Sequence, residues 1–526
     1  MDKILLSCAV SRFIAYCRDI YAKSVLAKVL RKIKALYMSS FLYRCFCAIL
    51  AIPSAIPQSR FYKLFSKFNN FLSSFGDKIY PSLEKSVLYR GAKAFSNSKL
   101  IKGSSILRTC KSIGVRGFLL IALGLTLPID WFIRDVAKID ALGSIWDEGL
   151  MILCICYILW RLTFTKGNPV KPRITPLDAP LLFFMSLGLL VMVMVSPDPS
   201  VSFAGYRAVC QSMLWFFVVT RLVEDDRDMR FFLYSLGAMA VVLALHGLYQ
   251  YVVGAPMPSH WVTAAESTDM RTRIYSITGS PNILGALMVM CAPLFAALAY
   301  YVKPLWGKCL AWGATGLLCL AVIFTFSRGA WFGLAVAVVL FCLLVDFKLL
   351  AIAAVAVLGV ILCVPAIGDR IGFLFTSDFA AANNKGGRGE RWSIGMSLLR
   401  TNPVWGFGLG RFGGAIAMQN QSIEGLKYFY MDNYYMKTLV EMGYVGLSGY
   451  VFLLASNAWS SLRGLFRSKH TRLRILAAGL FSGMIGVLSH SFFENIFEEP
   501  YMNSYFWCIS AVVMYICFLR KKEKQD

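Results

Sequence analysis

Residues 308–365 read KCLAWGATGLLCLAVIFTFSRGAWFGLAVAVVLFCLLVDFKLLAIAAVAVLGVILCVP. The stretch holds three apolar runs, 308–326, 330–346 and 348–365, broken at Ser327-Arg328-Gly329 and at Asp346-Phe347-Lys348. Each run is close to the ~20 apolar residues with which a helix crosses a hydrocarbon layer. Working outward, similar runs lie at 117–133, 145–162, 178–195, 202–220, 231–253 and 282–302, and again at 434–455, 473–490 and 502–519. The 526 residues are 57% hydrophobic and 16% charged, with a mean hydropathy of +0.60. A soluble protein carries about 25% charged residues, so a soluble enzyme and a disordered scaffold are both excluded. The expected fold class is an all-α polytopic membrane protein with about 12 transmembrane helices.

The net charge of +25 is concentrated at the start of the chain, where residues 1–115 hold 20 Lys and Arg against four acids, Asp2, Asp19, Asp77 and Glu84. Segments such as Ser24–Lys34 alternate apolar and basic residues at helical spacing, the pattern of helices lying on an anionic membrane face. The aromatics Phe61, Tyr62, Phe65, Phe68 and Phe71 suit lipid rather than nucleic acid, and no nucleic-acid partner is expected. No secretory signal peptide is expected, because no apolar core with an Ala-x-Ala-like site follows a short basic region. With the arm inside, an even number of spans puts the basic connections and the Arg520-Lys521-Lys522 tail on the cytoplasmic side, as the positive-inside rule requires. The expected organisation is a basic interfacial region at 1–116, nine spans over 117–365, an extracytoplasmic loop at 366–433, three spans over 434–519 and a cytoplasmic tail at 520–526. The fifteen cysteines avoid the outward loops 254–280 and 366–433, which argues against a disulfide framework. Cys45-x-Cys47 and Cys154-x-Cys156 lack zinc-site spacing.

Charges on the outward side go against this bias. Arg207 lies near the outer end of the fourth run, Arg271 and Arg273 flank the turn leading to Gly279-Ser280-Pro281-Asn282, and Arg328 sits between two spans. Arg370, Lys385, Arg388, Arg391 and Arg411 fall in the long loop. Membrane-edge arginines are costly, and several on one side suit a diphosphate, whose oxygens match guanidinium forks; the alternative is pairing with carboxylates or lipid headgroups. Gly406, Gly408 and Gly410 alternate in the loop, as in turns or a close backbone approach to a ligand, without the Gly-Lys-Ser/Thr end of a Walker loop. Gly443, Gly446 and Gly449 read as a helix-packing face. Glu441 is either a second intramembrane acid or the i,i+4 ion-pair partner of Lys437. His490, followed by Glu494, Glu498 and Glu499, is either a base with its orienter or a polar cap.

In this order, Ser327-Arg328-Gly329, Arg391-Trp392, Asn402-Pro403, Gly406-x-Gly408-x-Gly410-x-Phe412, Asp432-Asn433-Tyr434-Tyr435 and Glu441-x-Gly443 resemble the O-antigen ligase and O-antigen polymerase superfamily of bacterial membrane glycosyltransferases. The resemblance runs from about residue 200 to 515 and does not extend to residues 1–115. It implies a GT-C-like enzyme of the cytoplasmic membrane, independent of metal and cofactor. Such an enzyme moves glycan from a polyprenyl-diphosphate-linked oligosaccharide to an acceptor hydroxyl on the outer face, inverting the anomeric carbon. It further implies that arginines, here Arg207, Arg273, Arg328, Arg388 and Arg391, hold the diphosphate. Asp432 is the implied base, with His490 and Glu494 as alternatives and a helix N-cap as the competing role for Asp432. Asn433, Tyr434, Gly408 and Gly410 fall on the acceptor side and in the loop. Ligases of the family usually carry His where this chain has Asp432, which shifts weight to the polymerase branch that builds capsule or exopolysaccharide for the cell envelope. A ligase acting on a lipid or protein acceptor is the alternative. A flippase, from a different class, is expected to show two internal repeats and charges near the bilayer midplane, which this sequence does not. Anionic lipids are the expected partners of the basic arm, and other polysaccharide-assembly proteins are a further partner class.

Overall fold

The computed structural model describes residues 60–98, 104–164, 173–258, 272–363, 387–426, 428–467 and 470–520, with positions 261, 368, 370, 372 and 376. Ser24–Lys34, Cys45, Cys47, Arg271 and Lys385 lie outside the described residues. The chain divides into two compact units, residues 1–68 and 69–526. Helix α1, Arg60–Lys85, is followed by α2, Val87–Ser96. In the second unit α1 exposes Phe71 and Phe75, one turn apart on one face.

The helices of the second unit then follow: α3 Ser105–Gly124, α4 Thr126–Trp131, α5 Asp140–Gly143, α6 Trp146–Phe164, α7 Asp178–Met194, α8 Pro199–Cys210, α9 Leu214–Leu222, α10 Asp226–Val253, α11 Pro281–Tyr301, α12 Leu305–Phe324, α13 Arg328–Leu344, α14 Lys348–Cys363, α15 Arg388–Thr401, α16 Ala415–Asn420, α17 Tyr434–Arg467, α18 Thr471–His490 and α19 Pro500–Met514. No strand occurs among the described residues. The protein is an all-helical polytopic membrane protein. By length and composition, α10, α11, α12, α17, α18 and the helical stretch Pro500–Leu519 can each cross a membrane. A seventh span results if the pair α3 and Thr126–Val136, bent by 75°, is counted as one. Helices α7, α13 and Lys348–Gly359 are apolar but shorter, and the apolar run 202–220 is divided into α8, a 3-10 turn and α9.

The most enclosed elements are α11, α18 and α19. Helices α11 and α18 pack along their lengths because glycines remove the side chains between them. A Cβ at Gly483 would lie 2.2 Å from Met290 O, and one at Gly479 2.4 Å from Pro293 O. Such close backbone approach is how helices associate where lipid offers no hydrophobic gain.

Hydrogen bonds fix which helix ends lie together. Ile274 N donates to Phe324 O at 3.2 Å, tying the segment after α10 to the end of α12. At the other end Arg520 Nε donates to Asp226 Oδ1 at 2.8 Å, tying the end of the chain to the start of α10. Residues 273–282, 324–329, 432–434 and 490–499 therefore share one end of the bundle.

Helix α17 is broken near its start. Gly443 has φ +65° and ψ −169°, a conformation essentially restricted to glycine. The loop after α15 fills the gap: Phe407 N donates to Val440 O, Gly408 N to Glu441 O, Tyr444 N to Pro403 O and Val445 N to Val404 O, all at 2.8–3.2 Å. Buried amide and carbonyl groups that the break would orphan are thus paired by the loop. The helix-packing expectation for Gly443 is corrected here: a Cβ would lie 2.2 Å from Val404 O, in the loop, whereas Gly449 does pack on a neighbouring helix, at Leu187 of α7.

A candidate active site at one end of the bundle

The loop between α14 and α17 is held from three sides. Gly406, Gly408, Gly410 and Gly413 all have positive φ, so the loop turns repeatedly where a side chain would be strained. A Cβ at Gly205 of α8 would lie 2.3 Å from Gly410 N, and one at Gly408 would lie 2.9 Å from Ser196 Cβ. The loop thus packs closely on α8 and on the segment before it. Phe412, Met431 and Val440 form a small core of their own, with Trp392 and Phe429 packed on it.

Within this frame α15 delivers two cations to one carboxylate. Arg388 and Arg391, three residues apart, share a helix face. Arg388 Nε reaches Asp432 Oδ2 at 3.2 Å and Arg391 Nη1 reaches Asp432 Oδ1 at 2.5 Å. Asp432 is not the cap of α17. Asn433 Oδ1 accepts from Met436 N at 3.0 Å, three residues on as an N-cap does, which leaves the Asp432 carboxylate to the arginines. Tyr434 is buried against Phe497 and Tyr450, with ring centroids at 5.3 and 5.6 Å.

The turn after α18 supplies the facing wall. Glu494 Oε2 accepts from Asn282 Nδ2, and Asn282 Oδ1 accepts from Arg273 Nη2 at 3.1 Å. Arg273 also donates to Thr325 O at 3.0 Å and Trp261 O at 2.9 Å, so it fixes the start of α11 against the end of α12. Burial and the negative charge of Asp432 raise the Glu494 carboxyl above its ordinary value, and Arg388 opposes them. His490 is buried, and its Nδ1 has no hydrogen-bond partner among the described residues. Its ring lies against the Ser327-Arg328-Gly329 turn, where a Cβ at Gly329 would be 2.6 Å from His490 Cδ2. Asp432 with Arg388 and Arg391, Glu494 with Asn282 and Arg273, and His490 against the Ser327-Arg328-Gly329 turn are three groups within electrostatic reach of one another, together the candidate cluster.

Arg207 is engaged elsewhere. It pairs with Glu148 on α6 and donates from Nε to Gln211 Oε1 at 2.7 Å. Arg411 braces the loop through Ser422 O at 2.7 Å and Phe407 O at 3.0 Å.

Beneath the cluster is a buried Glu-Lys-Glu group. Lys437 Nζ lies 2.9 Å from Glu498 Oε2 and 3.4 Å from Glu441 Oε2, so the i,i+4 pair is made, with a third member that sequence reading did not assign. Both carboxylates also accept from the glycine loop, Glu441 from Phe412 N at 3.2 Å and Glu498 from Ala415 N at 2.9 Å. Burial works against the Glu498 carboxylate, but Lys437 outweighs it and the net shift is downward. Asn282 and Glu498 were both present in the quoted motifs; only the signal of an Asn opening a helix after Gly-Ser-Pro could have singled out the first.

Residues 313–451 match the O-antigen ligase family model. The match supports the likeness of these residues to the O-antigen ligase and polymerase superfamily. The O-antigen ligase segment runs from within α12 to the middle of α17, and so contains Arg328, Arg388, Arg391, the glycine loop, Asp432 and Glu441. Arg273, Asn282, His490 and Glu494 lie outside it and reach the cluster through the fold. No curated protein matches the chain. Such a family suggests O-antigen ligase- or polymerase-type transfer with lipid-linked oligosaccharide substrates.

Proposed function

We propose that the protein is a polysaccharide polymerase of the bacterial cytoplasmic membrane. It transfers glycan from a polyprenyl-diphosphate-linked oligosaccharide to a sugar hydroxyl of another lipid-linked repeat, on the outer face, with inversion and without a metal or cofactor. The observation that carries this reading is the Asp432 carboxylate shared by Arg388 and Arg391, inside the segment that matches the O-antigen ligases.

In the proposed reaction Arg328, Arg388 and Arg391 bind the donor diphosphate, while Arg273 positions Asn282 and through it Glu494. As the guanidinium groups turn to phosphate oxygens, Asp432 is released to accept the proton of the acceptor hydroxyl. The oxygen attacks the anomeric carbon from the face opposite the diphosphate. The bond from that carbon to the diphosphate oxygen breaks, and its electron pair leaves with the lipid diphosphate. Charge developing there is met by the arginines, which need no reorganisation at that moment. Asn433 and Tyr434 follow Asp432 on the acceptor side, and Gly408 and Gly410 keep the loop seated. Arg207, paired with Glu148 at the same end, would join the diphosphate only by leaving that partner.

A ligase reading is favoured by the family description itself; Asp432, where such ligases usually carry His, favours the polymerase. The two are separated by purified protein in nanodiscs, supplied with a polyprenyl-diphosphate oligosaccharide and EDTA. A ladder spaced by one repeat, with lipid diphosphate released, is the expected product. Transfer only after a different lipid or protein acceptor is added would make it a ligase. No transfer to any acceptor would return the chain to the flippase class.

A further inference from the structure

At the end of the bundle opposite the candidate active site lies a cavity of about 810 Å³. Its lining comes from three places: the start of α10 (Asp226, Arg230), the connection from α11 to α12 (Tyr301, Lys303) and the start of α18 (His470, Arg472). The same helices carry the proposed site at their other ends, since α18 finishes at His490 and α11 begins next to Asn282. At 1.5 Å per residue, the 20 residues of α18 separate the two by about 30 Å, the thickness of a hydrocarbon core.

The cavity is electropositive. Its one carboxylate is occupied: Asp226 accepts from Arg520 Nε at 2.8 Å and Nη2 at 2.9 Å, and from Tyr515 OH at 3.2 Å. Arg230, Lys303 and Arg472 form no ion pair among the described residues. His470, the N-cap of α18, makes no side-chain capping bond, so the amide end of that helix adds partial positive charge. Beside the cavity, in the first turns of α12, Leu305, Trp306 and Leu310 are 76%, 73% and 68% exposed. Exposed Leu and Trp at the end of a membrane helix face lipid, with the indole at headgroup level. The basic cavity therefore opens where phosphate headgroups lie.

We propose that this cavity binds the headgroup of an anionic phospholipid, with Arg230, Lys303 and Arg472 on the phosphate. Basic recesses between membrane helices suit such headgroups, and the volume admits a phosphodiester with its glycerol. The bound lipid bridges the ends of α10, α11 and α18, so it stabilises the folded bundle by mass action. The site is independent of the reaction proposed above.

The test uses the full chain in detergent, melted with increasing phosphatidylglycerol, phosphatidylcholine at the same mole ratio, or inorganic phosphate at matched ionic strength. Phosphatidylglycerol alone should raise the midpoint. Arg230→Gln/Lys303→Gln/Arg472→Gln should weaken that response roughly a hundredfold, since each basic group at an anionic surface is worth about fivefold in affinity. Arg463→Gln/Arg467→Gln, outside the cavity, should leave it unchanged. If the triple variant does not fold, Arg472→Gln alone, at an exposed position, should still shift the titration. Equal responses from wild type and the cavity variants would overturn the proposal, as would the same stabilisation from inorganic phosphate, which would make the ligand a soluble anion.

Discussion

At Asp432 two guanidinium groups converge on one carboxylate, and the consequences can be tested residue by residue. Asp432→Asn keeps the shape and removes the proton acceptor. Polymer formation should fall at least 10²-fold or so, with the melting midpoint little changed, because a partly exposed ion pair contributes little to stability. Retention of more than about a tenth of the activity would move the base to His490 or Glu494. Arg391→Ala should cost activity on the scale of a lost transition-state donor, about 10²–10³-fold. Glu499 gives a pH test. Burial, with the charges of Glu498, Glu494 and Asp130, raises its carboxyl from 4.5 to about 7. The folded protein therefore keeps a proton that the unfolded chain releases, and stability falls as pH rises between those values. Glu499→Gln should flatten that slope in melts across the window; an unchanged slope would assign it to another group.

Among the elements, helices were legible from hydropathy, whereas interruptions were not. Gly443-x-x-Gly446-x-x-Gly449 has the spacing of a packing face, and nothing local reveals that Gly443 carries a left-handed φ. Its complement, the backbone of Pro403–Gly408, lies some 40 residues earlier in the chain and is invisible to any helical period. Gly443→Ala puts a side chain into a glycine-only conformation and against a carbonyl, so it should cost about 1–3 kcal/mol from strain alone and more from the clash. Gly449→Ala meets the tip of Leu187, which can rotate, and should cost less. Thermal melts of the two variants check the ranking; an equal loss would contradict the backbone role. The candidate site divides in the same way. Arg388, Arg391 and Asp432 were nameable because they stand in short ordered motifs. The partnership of Arg207 with Glu148, or of Lys437 with Glu498, joins residues about 60 apart and is decided only by packing.

For the whole molecule, helix ends alternate along the chain, and this separates the proposed catalytic cluster from the basic cavity by the length of a helix. If the cluster faces outward, an epitope inserted after Gly425 should be accessible on intact spheroplasts. One inserted after Lys303 should be accessible only after permeabilisation. Accessibility of both from one side would refute the two-ended arrangement. Hydropathy foretold a multi-pass helical protein, while the bend after α3 and the division of the fourth apolar run depend on tertiary contacts that no window average contains.

The seam between the glycine loop and the interrupted helix also bears on protein engineering. Because the loop's amides and carbonyls complete the helix, neither segment is an independent module. A chimera that exchanges the loop between related enzymes to change acceptor preference should take residues 402–445 as one cassette. A junction placed between the loop and Asp432 would mismatch the donor and recipient halves of the seam, and would fail through folding before specificity could be read.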